Sequence, residues 1–182
     1  MIKRVKHTLP EGGWIGVISD THIPTRAGYV PKELFRILDG ASLILHAGDL
    51  AQENVLTDLA AIAPVEAVAG NMDPSEFHRK LGNKKIVTAG GVNIGLMHGR
   101  GRREDAPLRA YREFMETDTG SDVKLDGIVF GHTHFSVMEY YKGVLLLNPG
   151  SPVEPRMGST FSCARLRVEN NTLKGEIIPI KR

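Results

Sequence analysis

Two aspartates, four histidines and one asparagine follow apolar runs in this chain, and their types and spacing suit metal coordination. WIGVIS (14 to 19) leads into Asp20, Thr21 and His22; SLILHAG (42 to 48) into Asp49; VEAVAG (65 to 70) into Asn71. VNIGLM (92 to 97) leads into His98, and GIVFG (127 to 131) into His132, Thr133 and His134. Open α/β sheets bind ligands at the carboxyl ends of their strands, which is where all of these would lie. Asp20 and His22 are two apart, as are His132 and His134, so in extended backbone each pair sends its side chains to one side. Imidazoles, carboxylates and an amide oxygen without any thiolate form a borderline to hard ligand field, suited to Mn, Fe, Zn or Ni. Seven such groups exceed the needs of one tetrahedral ion and suit two ions of higher coordination sharing a carboxylate. Each residue also has a plainer use. Asp20 and Asp49 could cap helices, and Asn71 could occupy a left-handed turn. The histidines are harder to explain that way, because their apolar neighbours offer buried imidazoles no partners.

Delivering these side chains to one edge requires strands, and the pattern supplies them. WIGVIS, SLILHAG and VEAVAG read as buried strands, separated by helices at 31 to 38 and 53 to 63; Val55, Leu56, Leu59 and Ile62 share a face of the second. Pro31 suits a first helical turn. From residue 85 the pattern turns antiparallel, with hairpin signals at Gly90–Gly91, Lys142–Gly143 and Asn170–Asn171, interrupted by one helix at roughly 104 to 117. A chain of 182 residues with 41% hydrophobic content can bury one core, and no linker divides it, so one domain over 1 to 182 is expected.

A net charge of +2 gives no sign of a nucleic-acid binder. The apolar runs are too short to span a membrane. Cys163 is the sole cysteine, so no internal disulfide is available, and the N-terminal stretch lacks a signal-like apolar core. A soluble, cytoplasmic protein is expected.

The blocks DTH (20 to 22), GDL (48 to 50), GNMD (70 to 73), MHG (97 to 99) and GHTH (131 to 134), in that order, resemble the five motifs of the calcineurin-like metallophosphoesterases. NPGS (148 to 151) followed by Arg156 extends the likeness to the small bacterial and archaeal phosphodiesterase branch, which also includes a retromer subunit. The resemblance implies an α/β fold, a four-layer α/β/β/α sandwich of the metallo-dependent phosphatase kind. It implies two divalent ions, with Mn favoured and Zn, Fe and Ni as alternatives. Asp20, His22, Asp49 and His134 would hold one ion, and Asp49, Asn71, His98 and His132 the other, with Asp49 between them. Asn71 and Arg156 would touch substrate. Two divalent ions, two carboxylates and a bridging hydroxide leave about one positive charge to meet the single negative charge of a phosphodiester. The hydroxide would be the nucleophile, with no further side chain assigned to catalysis.

One departure bears on activity. Many members of the superfamily carry a histidine after the GN of the third block, where this chain has Met72, and a thioether cannot protonate a leaving group. Asp73 then reads as a supporting residue. His46 suits either support of the site or strand packing, and His7 and His78 read as surface. Arg100, Arg102 and Arg103 form either an electropositive lip or a solvated helix start; Asn148 and Gly150 read as turn residues. The expected activity is hydrolysis of a small phosphodiester, with a phosphomonoesterase or nuclease as the alternative, or a scaffold of the retromer type. Homo-oligomers are common in the family.

Overall fold

Alternating apolar residues build two stacked sheets in the computed structural model, in which residues 2–115 and 123–181 are described. One sheet contains β1 (Lys3–His7), β5 (Lys84–Ala89), β6 (Val92–Met97), β7 (Gly127–Val129), β8 (Ser136–Tyr141) and β9 (Val144–Pro149), in the order β1-β5-β6-β7-β9-β8. The other contains β2 (Trp14–Ile18), β3 (Leu43–His46), β4 (Val65–Ala67), β10 (Ser162–Glu169) and β11 (Thr172–Pro179), in the order β11-β10-β2-β3-β4. β2, β3 and β4 are parallel; β10 and β11 add an antiparallel wing.

Period-two alternation divides the side chains between layers. Ile15, Val17, Leu43 and Leu45 face Val87, Ile94, Leu96, Val129 and Leu147 across the gap between the sheets. Their neighbours Ile18 and Ile44 point outward onto Leu34 and Leu38 of α1 (Lys32–Leu38), Val55 and Leu59 of α2 (Asn54–Ala60) and Phe77 of α3 (Ser75–Leu81). On the opposite outer face, Ile86, Ile128 and Leu146 meet Ala106, Ala110 and Phe114 of α4 (Ala106–Met115). The layers therefore run helix, sheet, sheet, helix, as the resemblance implies. Each buried Leu or Ile contributes about 1.5–3 kcal/mol by leaving water. That matters for α1, α2 and α3, because helices of 7 residues are too short to persist without packing.

The hairpins at Gly90–Gly91, Lys142–Gly143 and Asn170–Asn171 form as expected, and α4 covers most of the helix expected over 104 to 117, whose last two residues lie outside the described ones. Two elements have no counterpart in the sequence reading. In β1, KRVKH is mostly charged and only Val5 packs on the core; in α3, only Phe77 is buried. Neither has enough apolar periodicity to announce itself. His7 is half-buried rather than on the surface, its Nε2 3.1 Å from Glu66, which also takes Lys85 Nζ at 2.8 Å. These contacts join β1 and β5 of one sheet to β4 of the other.

Candidate metal centre

All seven expected ligands meet at one edge of the sandwich, but not by the backbone route expected. Instead of continuing in extended form, the chain turns left-handed at Asp20 (φ 55°), His22 (44°), Asp49 (57°), His132 (74°) and His134 (59°). The turns bring Asp20 and His22 together, Oδ1 and Nε2 3.8 Å apart, whereas His132 and His134 go to opposite sides, His132 toward Asn71 and His134 toward Asp20 and His22. Left-handed backbone costs a non-glycine residue about 1–2 kcal/mol, and such strain gathers at functional sites. Main-chain hydrogen bonds hold it in place: Asp20 N–H to Gly48 O and His22 N–H to Asp49 O, both 3.0 Å, and Gly131 N–H to His98 O, 2.8 Å. Glycine is required at 70 and 131 for room, since a Cβ at Gly70 would overlap the Asp49 carboxylate and one at Gly131 would overlap Ser19 Oγ.

Asp20, His22 and His134 form one group, and Asp20, Asp49 and His98 a second, with ligand atoms in each within 4.8 Å of one another. Asp49 Oδ2 lies 3.2 Å from His98 Nε2 and 3.5 Å from His22 Nε2, so it too stands between the two sides. Asn71 Oδ1 closes the second side, 3.1 Å from His98 Nε2 and 2.9 Å from His132 Nδ1.

Two backbone carbonyls decide what these imidazoles present. His98 Nδ1 lies 2.7 Å from Ala47 O and His134 Nδ1 2.6 Å from Glu154 O. A carbonyl only accepts, so each Nδ1 carries the hydrogen and each neutral ring turns an Nε2 lone pair inward. His134 Nε2 then faces Asp20 Oδ1 at 3.3 Å and His22 Nε2 at 3.2 Å. His98 Nε2 faces Asp49 Oδ2 and Asn71 Oδ1. Acceptor against acceptor repels unless a cation sits between. Asp20 Oδ1 is moreover buried without a hydrogen-bond partner among the described residues. The donor set thus fits divalent cations, and the same demand appears as proton affinity. Without an ion a proton on Nε2 takes its place: burial would lower the His98 pKa, but the Asp49 carboxylate 3.2 Å from Nε2 and the charge of Asp20 outweigh this and raise it to about 9. Burial would raise the Asp20 carboxyl, yet the His134 imidazole close to its Oδ1 and the charge of His98 bring it down to about 2.

Supporting residues hold the loops. Asp73 accepts from Asp49 N–H (3.0 Å) and Gly70 N–H (2.8 Å) with one oxygen and from Ala51 N–H (2.7 Å) with the other, tying the second block to the third. His46 is fully buried, and burial lowers its pKa to about 3. Its Nδ1 accepts from Gly48 N–H at 3.2 Å, so Nε2 donates to Thr21 Oγ1 at 3.1 Å. Asn148 is more than a turn residue, since its Nδ2 donates to Gly131 O (2.8 Å) and Thr133 Oγ1 (3.1 Å). Ser151 escaped the sequence reading: its hydroxyl donates to Asp20 O (2.8 Å) and accepts from Glu154 N–H (2.9 Å), the residue whose carbonyl orients His134.

The arginines divide. Arg156 stands 3.9 Å from Glu154, whose other carboxylate oxygen lies 3.8 Å from His134 Nδ1, so it does return to the metal edge. Arg26, not singled out in the sequence, shares Glu154 at 3.1 Å. Arg103 stacks over the Phe135 ring at 3.8 Å, and Arg100 pairs with Glu113 at 2.6 Å. Met72 is 61% exposed beside Asn71, and its N–H donates to Asp49 Oδ1 at 2.8 Å.

Residues 14–171 match the calcineurin-like phosphoesterase superfamily domain, and the chain belongs to that superfamily. It is 39% identical to a probable metallophosphoesterase of Methanothermobacter thermautotrophicus over 166 residues, 90% of this chain and 91% of that one. Vps29 of Chaetomium thermophilum superposes with a TM-score of 0.70 at 21% identity, covering 93% of this chain and 97% of Vps29. A structure described as a novel archaeal phosphodiesterase superposes with a TM-score of 0.63 at 22% identity, covering 91% and 99%. Among the described residues no helix is long and apolar enough to cross a membrane.

Proposed function

We propose that this protein is a metal-dependent phosphodiesterase that uses two divalent ions, with Mn favoured. Asp20, His22, Asp49 and His134 would hold one ion, and Asp49, Asn71, His98 and His132 the other. The observation that carries the reading is the convergence of inward-facing acceptors, two Nε2 lone pairs, two carboxylates and an amide oxygen, with Asp20 Oδ1 making no hydrogen bond among the described residues. When bound, the ions would supply a hydroxide nucleophile near neutral pH and offset charge on the phosphoryl oxygens. The chain's own part is orientation. Ala47 O and Glu154 O hold two imidazoles in the ligating tautomer, and Asp73 and Ser151 hold the loops that carry the carboxylates. Arg156, 51% exposed on the Glu154 side, is suited to meet a phosphoryl oxygen.

A diester is favoured over a monoester because Met72 stands where a proton-donating imidazole would assist a poor leaving group, and the archaeal phosphodiesterase among the structural neighbours agrees with this. A non-catalytic scaffold, suggested by the Vps29 likeness, is disfavoured by the complete ligand set. Asp49→Asn is expected to lose at least one ion and most activity, since a neutral amide leaves two cations unscreened. Metal content measured with the turnover of an activated diester and its matching monoester tests this. Unchanged stoichiometry and rate would sink the bridging role, faster monoester turnover would sink the diester preference, and purified protein that binds no metal would favour the scaffold.

A further inference from the structure

A cleft of about 370 Å³ opens from the Asn71–His98 side of the site and runs between α3 and the start of the 99–113 segment. Beyond the two ligands, its walls include His78, Asn83, Arg100 and Glu113. His78, read from sequence as a surface residue, is half-buried here.

The acceptors on these walls are already engaged. Glu113 takes Arg100 Nε on one carboxylate oxygen at 2.6 Å and Lys84 Nζ on the other at 3.5 Å. Asn83 Oδ1 takes His78 Nδ1–H at 2.6 Å, which fixes the amide so that Nδ2 is its open end. Among the described residues, that Nδ2 and the two terminal guanidinium nitrogens of Arg100 make no other hydrogen bond, and Arg100 is 70% exposed. The cleft therefore offers unused donors, one group cationic, to whatever extends from a phosphate held beside Asn71 and His98.

We propose that this cleft is a substrate subsite for an ester substituent that itself carries an anionic group, such as a second phosphate, recognised by Arg100 with Asn83, while His78 holds the Asn83 amide in place. This rests on the phosphodiesterase reading of the metal centre. The volume suits one sugar-sized substituent rather than a polymer.

Binding tests it without relying on turnover. Calorimetry on the Mn-loaded protein compares thymidine 3′,5′-bisphosphate with thymidine 3′-monophosphate, which differ only in the second phosphate. The bisphosphate is expected to bind about 10-fold tighter, as one charge-assisted contact allows. Arg100→Gln should bring that ratio close to one, and Arg102→Gln, outside the cleft, should leave it intact. Equal affinities in the parent protein, or a ratio that survives Arg100→Gln, would overturn the subsite. Turnover of bis(p-nitrophenyl) phosphate is measured alongside. Its absence would refute the phosphodiesterase reading, while the binding ratio still decides the subsite.

Discussion

Met72 is the residue on which the proposed preference between two kinds of chemistry turns. Its backbone N–H supports Asp49, while its side chain is exposed, so the side chain can be exchanged without disturbing the carboxylate. With no imidazole there, rate should depend steeply on leaving-group acidity, nitrophenyl diesters reacting far faster than alkyl ones. Met72→His is expected to flatten that dependence and help the poorest leaving groups most, by up to the 10²- to 10⁴-fold typical of a positioned general acid. A linear free-energy series at constant metal content checks it. A slope unchanged in the variant would mean that position 72 does not face the leaving group.

At the scale of elements, the loop after β9 governs the site without contributing a ligand. Ser151 fastens that loop to the main chain of Asp20, and through Glu154 it sets the ring of His134. Ser151→Ala would leave the N–H groups of buried Val153 and half-buried Glu154 short of an acceptor, at a cost of about 1–3 kcal/mol. It should also weaken ion binding about 10- to 100-fold, as loss of an orienting partner commonly does. Metal titration read alongside thermal unfolding separates the two effects. A variant destabilised but binding ions with parental affinity would reduce Ser151 to a packing role.

Over the whole molecule, the ions and the fold are expected to be linked. Strained left-handed turns and facing acceptors are tolerable only when compensated, so bound ions should stabilise the folded chain by mass action. A chelator is expected to abolish turnover and lower Tm together, and Mn should restore both at least as well as Mg, because imidazole ligands favour the softer ion. Calorimetric scans and rates across a metal series provide the check; full recovery with Mg alone would mean the histidines are not ligands. The candidate ligands were legible in the sequence because each lies in the loop just after one of five strands, β2, β3, β4, β6 or β7, and these strands run parallel to their neighbours in the set within each sheet, so their carboxyl ends gather at an edge. The strands β2–β4 and the hairpins β5–β6, β8–β9 and β10–β11 were legible for a similar reason, since apolar runs and turn signals are local; their division into two stacked layers was implied only by the resemblance. α3 and β1 were not legible, since polar segments with one buried residue carry no periodic signal. Nor could local pattern reveal that Asp20, His22, His132 and His134 are aimed by left-handed turns rather than by extended backbone. The tautomers of His98 and His134 depend on carbonyls 51 and 20 residues away, and the cleft needs Asn83, Arg100 and Glu113 brought together from separate elements. Contacts between backbone groups and distant side chains leave no trace in composition or spacing, so only the tertiary fold could decide them.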